Sequence, residues 1–576
     1  MIQSPPPIRV SQAGNGLSSR QFGLANFCFL AALAALLFFG MLGAVPLFNP
    51  DEGLYAEPAR EMLETGEWIT TLLNYAVRFT KPPLVIWAMA LSYKVFGVNE
   101  FAARFFVAAT AFVMVLATYA FAERFFGKKC AFLAGLVLLT APLFIGVGRE
   151  AITDMPLTLF IAGSLFSAYF AFTQKSSLAK WSAYILVGLA VMTKGPVGAL
   201  LPGVILGVFY YLRGELKNAV KFFNLPIGAL LVAAIALPWF VTEIKITDGA
   251  YFREFIMREN LERYTSVVDA HKGPIWYHLA VIMGGLFPWS LFIPQMLLRA
   301  YRFIREALAN RDSNFHKPWD AFKAVKRACE EMKADTALTL FLGITSVVVI
   351  AFFSASVSKL LPYTLPAFPG LAILIARELQ KTSEGNFLWR SAWPILLLIL
   401  VFGTAGVIAP VALSHLHDGP TGIAGPIGAY GLCAAALTVL ALFIYGYRSR
   451  YLGFVTLAVA LFGLNCWFGA KVLPDISKGL EGDIPAYSRF AAASDAPIIV
   501  FGIRKPGVPF YTHRKVFQQP DIEEVRKIFA KNDRAYVITR FKYLKDLVPE
   551  GGFKVIAKDE RFLLLEWQKQ AVKRSI

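Results

Sequence analysis

The sequence predicts an all-α polytopic membrane protein that ends in one small α/β domain. Three observations predict it: long apolar runs, a one-sided distribution of Lys and Arg between them, and a change of composition near Pro474. Hydrophobic residues make up 56% of the 576, and the mean hydropathy is +0.54, whereas soluble chains are about 45–50% apolar. The excess gathers into runs such as Leu24–Phe48, Ala392–Leu413 and Leu432–Tyr447. A helix of about 20 residues crosses the roughly 30 Å of hydrocarbon and satisfies its own backbone polar groups there.

Spans read at 24–48, 101–121, 130–148, 155–173, 181–193, 196–212, 222–242, 276–298, 336–354, 361–377, 391–413, 425–447 and 451–471, about thirteen in all. The segment Leu84–Gly97 is shorter and contains Ser92, Tyr93 and Lys94. Were it a span, the topology downstream would invert. With it excluded, the inner loops 123–129, 174–180, 213–221, 299–335, 377–390 and 448–450 all carry Lys or Arg, while the outer loops 355–360 and 414–424 are poor in them. That is the positive-inside pattern. Leu84–Gly97 is therefore expected to lie along the outer membrane surface. Residues 1–23, with Arg9 and Arg20, read as a cytoplasmic tail, 24–473 as the membrane domain with outer loops 49–100 and 243–275, and 474–576 as a soluble domain on the outer (periplasmic) side of a bacterial inner membrane.

The formal charge of +18 is spread over short loops rather than gathered on one soluble face, which excludes nucleic acid as a partner and leaves membrane lipids. Cys28, Cys130, Cys329, Cys433 and Cys466 show no metal or redox spacing. In the terminal domain, 497–502 and Ala535–Thr539 read as buried strands, Ile522–Ala530 as a helix, and Phe553–Ala557 with Phe562–Trp567 as a hairpin.

Ionisable residues crowd the outer ends of the spans. Asp51 and Glu52 follow the first run, with Tyr55, Glu57, Arg60 and Glu61 close behind. Such a pair suits general-base or metal-binding work, or equally the N-terminus of a helix. Lys81 precedes Pro82-Pro83 and is either a phosphate contact or a snorkelling lysine. Arg149, Glu150 and Asp154 form a third cluster, in which Asp154 also suits a helix start. Arg258, Arg263, His271 and Lys272 lie in the loop after span seven, and Lys194, Lys359 and Tyr363 sit at breaks in the apolar pattern. Clusters of both signs on one membrane face point to an anionic, membrane-resident substrate. A transporter of a lipid or glycan intermediate, the alternative, would place its charges near the midplane instead.

The motifs Pro50-Asp51-Glu52-x-x-Tyr55-Ala56-Glu57, Arg60-Glu61-Met62, Lys81-Pro82, Asp154, Met192-Thr193-Lys194-Gly195, His271 with Trp276-Tyr277, Pro288-Trp289 and Lys359-Leu360 occur in this order. In combination the chain resembles the lipid-carrier-dependent glycosyltransferases of the membrane-embedded C-type fold. It resembles most the bacterial aminoarabinose transferases that modify lipid A, and more distantly the protein O-mannosyltransferases. The resemblance implies a sugar donor on polyprenyl phosphate and an envelope glycolipid, glycan or protein acceptor. It implies Asp51 as the principal catalytic carboxylate, supported by Glu52 and Asp154. Arg60, Lys81, Lys194, Arg263 and Lys359 are then the phosphate contacts, and Tyr55, Arg149, Lys272 and Tyr363 further substrate contacts. It also implies a divalent metal held by the loop histidine, here His271, and a Glu before Lys-Pro. That position is Thr80, so the metal expectation rests on His271 alone.

Overall fold

The apolar runs fold as helices, and they stop or bend where Gly and Pro interrupt them. The structure, a computed structural model, describes residues 19–262, 273–309, 318–384, 388–414 and 423–569. Among these, seven helices are each long and apolar enough to cross a bilayer: Glu100–Phe126, Asp154–Gln174, Leu225–Ile246, Ala334–Ala355, Ala392–Ala412, Ala424–Tyr447 and Arg450–Glu481. This is a multi-pass membrane protein. The run expected as one span over 276–298 is two helices, Tyr277–Gly285 and Trp289–Ala309, bent by 111°. Gly284, Gly285 and Pro288 lie at that bend; proline removes a backbone donor and glycine weakens the turn before it. Three other expected spans are also interrupted. Residues 24–48 are helical only to Phe39, 130–148 break at Thr140 before Pro142, and 361–377 begin as a 3-10 turn over Leu361–Ala367.

Eight elements of the first third position the acidic and basic segments. They are α1 (Ser19–Phe39), α2 (Gly53–Thr65), α3 (Leu84–Phe96), α4 (Glu100–Phe126), α5 (Lys128–Leu139), α6 (Pro142–Val147), α7 (Asp154–Gln174) and α8 (Ser177–Lys194). Helix α4 is central and packs on α1, α3, α5 and α7. Its small buried residues Ala103, Val107, Ala108 and Ala111 belong to the same core as Leu30, Ala34 and Phe38 of α1. The segment expected to lie on the membrane surface is α3, whose buried face is Val85, Ile86, Met89, Ala90 and Tyr93.

One buried arginine organises the chain between α1 and α2. Arg104 of α4 donates from Nε to Glu52 Oε1 at 2.7 Å and from Nη2 to Glu52 Oε2 at 2.6 Å. Its remaining N–H groups reach the carbonyls of Leu42 at 2.9 Å, Val45 at 2.8 Å and Pro46 at 2.8 Å. Every donor of the guanidinium is thereby used. Glu52 is equally saturated, since its oxygens also accept the Phe48 and Ala151 N–H groups at 2.7 and 2.8 Å.

The terminal domain carries a five-stranded sheet built from β3 (Ile498–Val500), β4 (Phe517–Gln518), β5 (Arg534–Arg540), β6 (Phe553–Lys558) and β7 (Phe562–Gln568), in the order β4-β3-β5-β7-β6. A short hairpin, β1 (Leu72–Leu73) and β2 (Ala76–Val77), precedes it in the chain. Strand β3 runs parallel to β4 and β5, and β7 antiparallel to β5 and β6. The expected helix is Ile522–Lys531, capped by Asp521, whose side chain accepts from Glu524 N–H at 2.7 Å. Trp567 stacks on Phe529 beneath it with ring centroids 4.2 Å apart.

This domain grips the loop ahead of α2. The Asn49 N–H and side-chain amide donate to the two oxygens of Glu481, each at 2.9 Å, and Gly507 N–H donates to Asn49 Oδ1 at 2.7 Å. Leu47 N–H donates to the Tyr511 hydroxyl at 2.9 Å. The backbones approach so closely that a Cβ on Gly53 would lie 2.5 Å from Gly507 N. Arg104→Met is expected to cost about 3–5 kcal/mol, because it leaves the Glu52 carboxylate buried and unpaired. Thermal melting in detergent measures this; a melting temperature equal to the parent's would refute the role given to Arg104.

Candidate active site

The site is built where α2, the β1–β2 hairpin, the start of α7 and the end of α8 meet. Asp51 and Glu52 occupy adjacent positions with opposite fates. Glu52 turns inward and is fully enclosed, whereas the Asp51 side chain is exposed. Anchors on both sides, Asn49 on the terminal domain and Glu52 on Arg104, restrict the backbone that carries Asp51.

Tyr55, one turn into α2, forms the floor. The Arg78 guanidinium lies over its ring at 5.4 Å and donates to the Leu54 carbonyl. Arg78 is placed by the hairpin, whose turn residues Asn74 and Tyr75 both have positive φ, 56° and 61°. That two-residue geometry favours Asn. Tyr75 tolerates it with its N–H held by both Glu61 oxygens at 3.1 Å, and the Asn74 side chain exchanges hydrogen bonds of 2.6 and 2.8 Å with the Val516 backbone of the terminal domain. Lys81 follows three residues after Arg78 and is half-buried ahead of Pro82-Pro83, which open α3.

Asp154, at the start of α7, and Lys194, at the end of α8, form an ion pair of 2.5 Å. The Lys194 ammonium also lies over the Tyr363 ring at 4.7 Å. Burial raises the Tyr55 hydroxyl above its ordinary pKa, while Arg78 and Lys194 oppose the shift. The structure thus brings Tyr55, Arg78, Asp154, Lys194 and Tyr363 together, with Asp51 four residues ahead of Tyr55. Two cations and a carboxylate around an aromatic floor suit a phosphate-bearing sugar: the cations for the anion, the rings for the sugar face.

Four expected contacts are occupied elsewhere. Glu52 has all its acceptor positions filled by Arg104 and two backbone N–H groups, so its carboxylate acts on the position of its neighbour and not on a substrate. Arg60 is buried and paired with Glu57 at 2.8 Å, with Glu64 and with the Tyr75 hydroxyl at 3.2 Å. Lys359 caps the helix Ala334–Ala355, its ammonium donating to Ser354 O at 2.6 Å and Ser356 O at 2.5 Å. Arg149 donates to the carbonyls of Leu37 and, at 2.9 Å, Gly40. Arg263, His271 and Lys272 lie outside the described residues.

Sequence reading passed over Arg104, Arg78 and Glu150. A lone arginine in the apolar run 101–121 was the available signal for the first. Nothing short of the hairpin geometry distinguishes Arg78 from Lys81. Glu150 makes no side-chain hydrogen bond or ion pair among the described residues, and its carboxyl is pushed up to about 8 by burial and by the negative charges of Glu52, Asp51 and Asp154.

Comparison with known proteins matches residues 80–242 to the family model described as dolichyl-phosphate-mannose-protein mannosyltransferase. An undecaprenyl phosphate-α-4-amino-4-deoxy-L-arabinose arabinosyl transferase of Edwardsiella ictaluri is 30% identical over 426 residues, which cover 73% of this chain and 71% of the relative. The chain belongs to this arabinosyl transferase family. An uncharacterised protein of Aquifex aeolicus is 29% identical over 381 residues, 65% of this chain and 68% of its own. The crystal structure of ArnT from Cupriavidus metallidurans bound to undecaprenyl phosphate superposes with a TM-score of 0.74 at 21% identity, over 94% of this chain and 97% of that one. The protein is accordingly a membrane-embedded glycosyltransferase with the ArnT fold.

The donor set of the transferase does not supply the metal site that the resemblance implies. Position 80 is a threonine, and among the described residues no three His, Cys, Asp or Glu side chains converge. No step is therefore routed through a metal.

Glu150 gives the transferase a pH-dependent stability. Its folded pKa of about 8 exceeds the ordinary 4.5, so the folded state keeps a proton that the unfolded chain loses. Below about pH 4.5 both states hold it and stability is full; as pH rises towards 8 the contribution is lost. Glu150→Gln is expected to melt above the parent at pH 8 and with it at pH 4. Parallel melting curves across that range would refute the assignment.

Proposed function

We propose that the protein transfers a sugar from a polyprenyl phosphate to lipid A or a related envelope glycolipid on the outer face of the bacterial inner membrane. The observation that carries this reading is the exposed Asp51 carboxylate, anchored on both sides, beside the Tyr55, Arg78, Asp154 and Lys194 constellation. The family's donor and acceptor support the substrate class, and Thr80, in place of the family's Glu, leaves the sugar itself to experiment.

In the proposed reaction the acceptor oxygen forms a bond to the anomeric carbon while the bond from that carbon to the polyprenyl phosphate oxygen breaks. The leaving phosphate takes the electron pair. Arg78, Lys81 and Lys194 stabilise its growing charge, the effect that pre-organised cations deliver most strongly in a site shielded from water. Asp51 orients the acceptor and, where the acceptor is a hydroxyl, accepts its proton. Asp154 holds Lys194 in place. The charge pattern of the loops supports a cytoplasmic N-terminus, and with it the site and terminal domain on the periplasmic side.

A panel of radiolabelled polyprenyl-phosphate sugars, incubated with purified protein and lipid A, tests the reading. One donor is expected to be consumed, with transfer reduced at least a hundredfold by Asp51→Asn. If the parent consumes no donor, or Asp51→Asn matches it, the catalytic assignment fails.

A further inference from the structure

A cavity of about 620 Å³ opens between α1, α6 and the helices Ala424–Tyr447 and Arg450–Lys471. Its volume falls in the usual range for a ligand pocket, roughly 300–1,000 Å³. Most of its wall is apolar, with Leu36, Met41, Ile145 and Phe468 among the lining residues. One end is polar: Arg104, Arg149 and Glu150 line it. None of Arg78, Lys81 and Lys194 does, so this space is distinct from the phosphate constellation of the donor side. It adjoins the same loop, since Phe48 also lines it and the Asp51 charge acts on Glu150.

The polar end is not electrically complete. Arg104 is neutralised by Glu52. Arg149 binds only the carbonyls of Leu37 and Gly40 and forms no ion pair with a described carboxylate. A half-buried guanidinium without a counter-charge favours an anion. Glu150 beside it holds its proton at neutral pH, so it offers a donor instead of a repelling charge.

We propose that this cavity binds the acceptor as an acylated anionic lipid, with a hydrocarbon chain along the apolar wall and a phosphate at Arg149 and Glu150. The word "acceptor" rests on the transferase reading; the binding does not. Two glycines line the space, and a Cβ added to Gly146 or Gly469 meets no atom within 4 Å. Both positions are helical, where a larger residue is tolerated better than glycine. Phenylalanine there fills the cavity without displacing protein atoms.

The test is native mass spectrometry of the detergent-purified full chain with lipid A, and separately with undecaprenyl phosphate, for the parent, Gly146→Phe and Gly469→Phe. Gly203→Phe is the control, because it adds the same ring to open space on the helix Val197–Leu212. Lipid A binding is expected to weaken at least tenfold in both cavity variants and to match the parent in the control. Undecaprenyl phosphate binding is expected to persist in all four. Unchanged lipid A binding in folded cavity variants would overturn the proposal. So would selective loss of undecaprenyl phosphate, which would make the cavity the donor's. A parent that binds lipid A through this cavity and transfers no sugar would sustain the site and sink the transferase reading instead.

Discussion

The ion pair between Glu52 and Arg104 sets the geometry of everything at this end of the molecule. A charged pair enclosed in a helical bundle is stable only when its remaining hydrogen-bonding capacity is met. Here both partners are saturated, and their extra bonds go to the backbone on either side of the catalytic loop: the carbonyls of Leu42, Val45 and Pro46, and the N–H groups of Phe48 and Ala151. The segment after α1 therefore has no need to be helical. It leaves the bundle as a defined irregular chain, and Asp51 emerges on it beside a glutamate that is locked inward. Because Ala151 is bound by the same carboxylate, the start of α7, with Asp154, is held to the loop that carries Asp51.

The terminal domain supplies the second anchor. Asn49 is held by Glu481 and Gly507, and Glu481 is itself held by Lys505 at 2.7 Å. Asn74, on the hairpin that delivers Arg78, is held by Val516. One soluble domain thus touches both the carboxylate loop and the hairpin that brings the first cation. This gives the domain a physical task in addition to any substrate it covers: it fixes two separately encoded parts of the site against each other.

Much of this was legible in the sequence. Apolar runs and loop charges marked a multi-span bundle, and composition marked the α/β domain, where period-two patterning located β3, β5, β6 and β7. Asp51, Tyr55, Asp154 and Lys194 were identified as site residues and do come together. The division of labour among the charges was not legible. Glu52, Arg60 and Lys359 have the residue types of a phosphate or catalytic site, yet their partners are Arg104, Glu57 and the carbonyls of Ser354 and Ser356. Those partners are brought up by tertiary packing, on which a linear pattern carries no information. The same holds for the broken spans. Gly284, Gly285 and Pro288 are visible in the sequence, but the 111° bend they permit depends on the helices around them.

A cryo-EM structure of the protein with a polyprenyl phosphate bound tests this arrangement most directly. The phosphate should lie within hydrogen-bond reach of Arg78, Lys81 or Lys194, with the exposed Asp51 carboxylate on the side open to the acceptor and Glu52 still joined to Arg104. A phosphate seated away from all three cations, or a Glu52 released from Arg104 and turned towards the ligand, would contradict it.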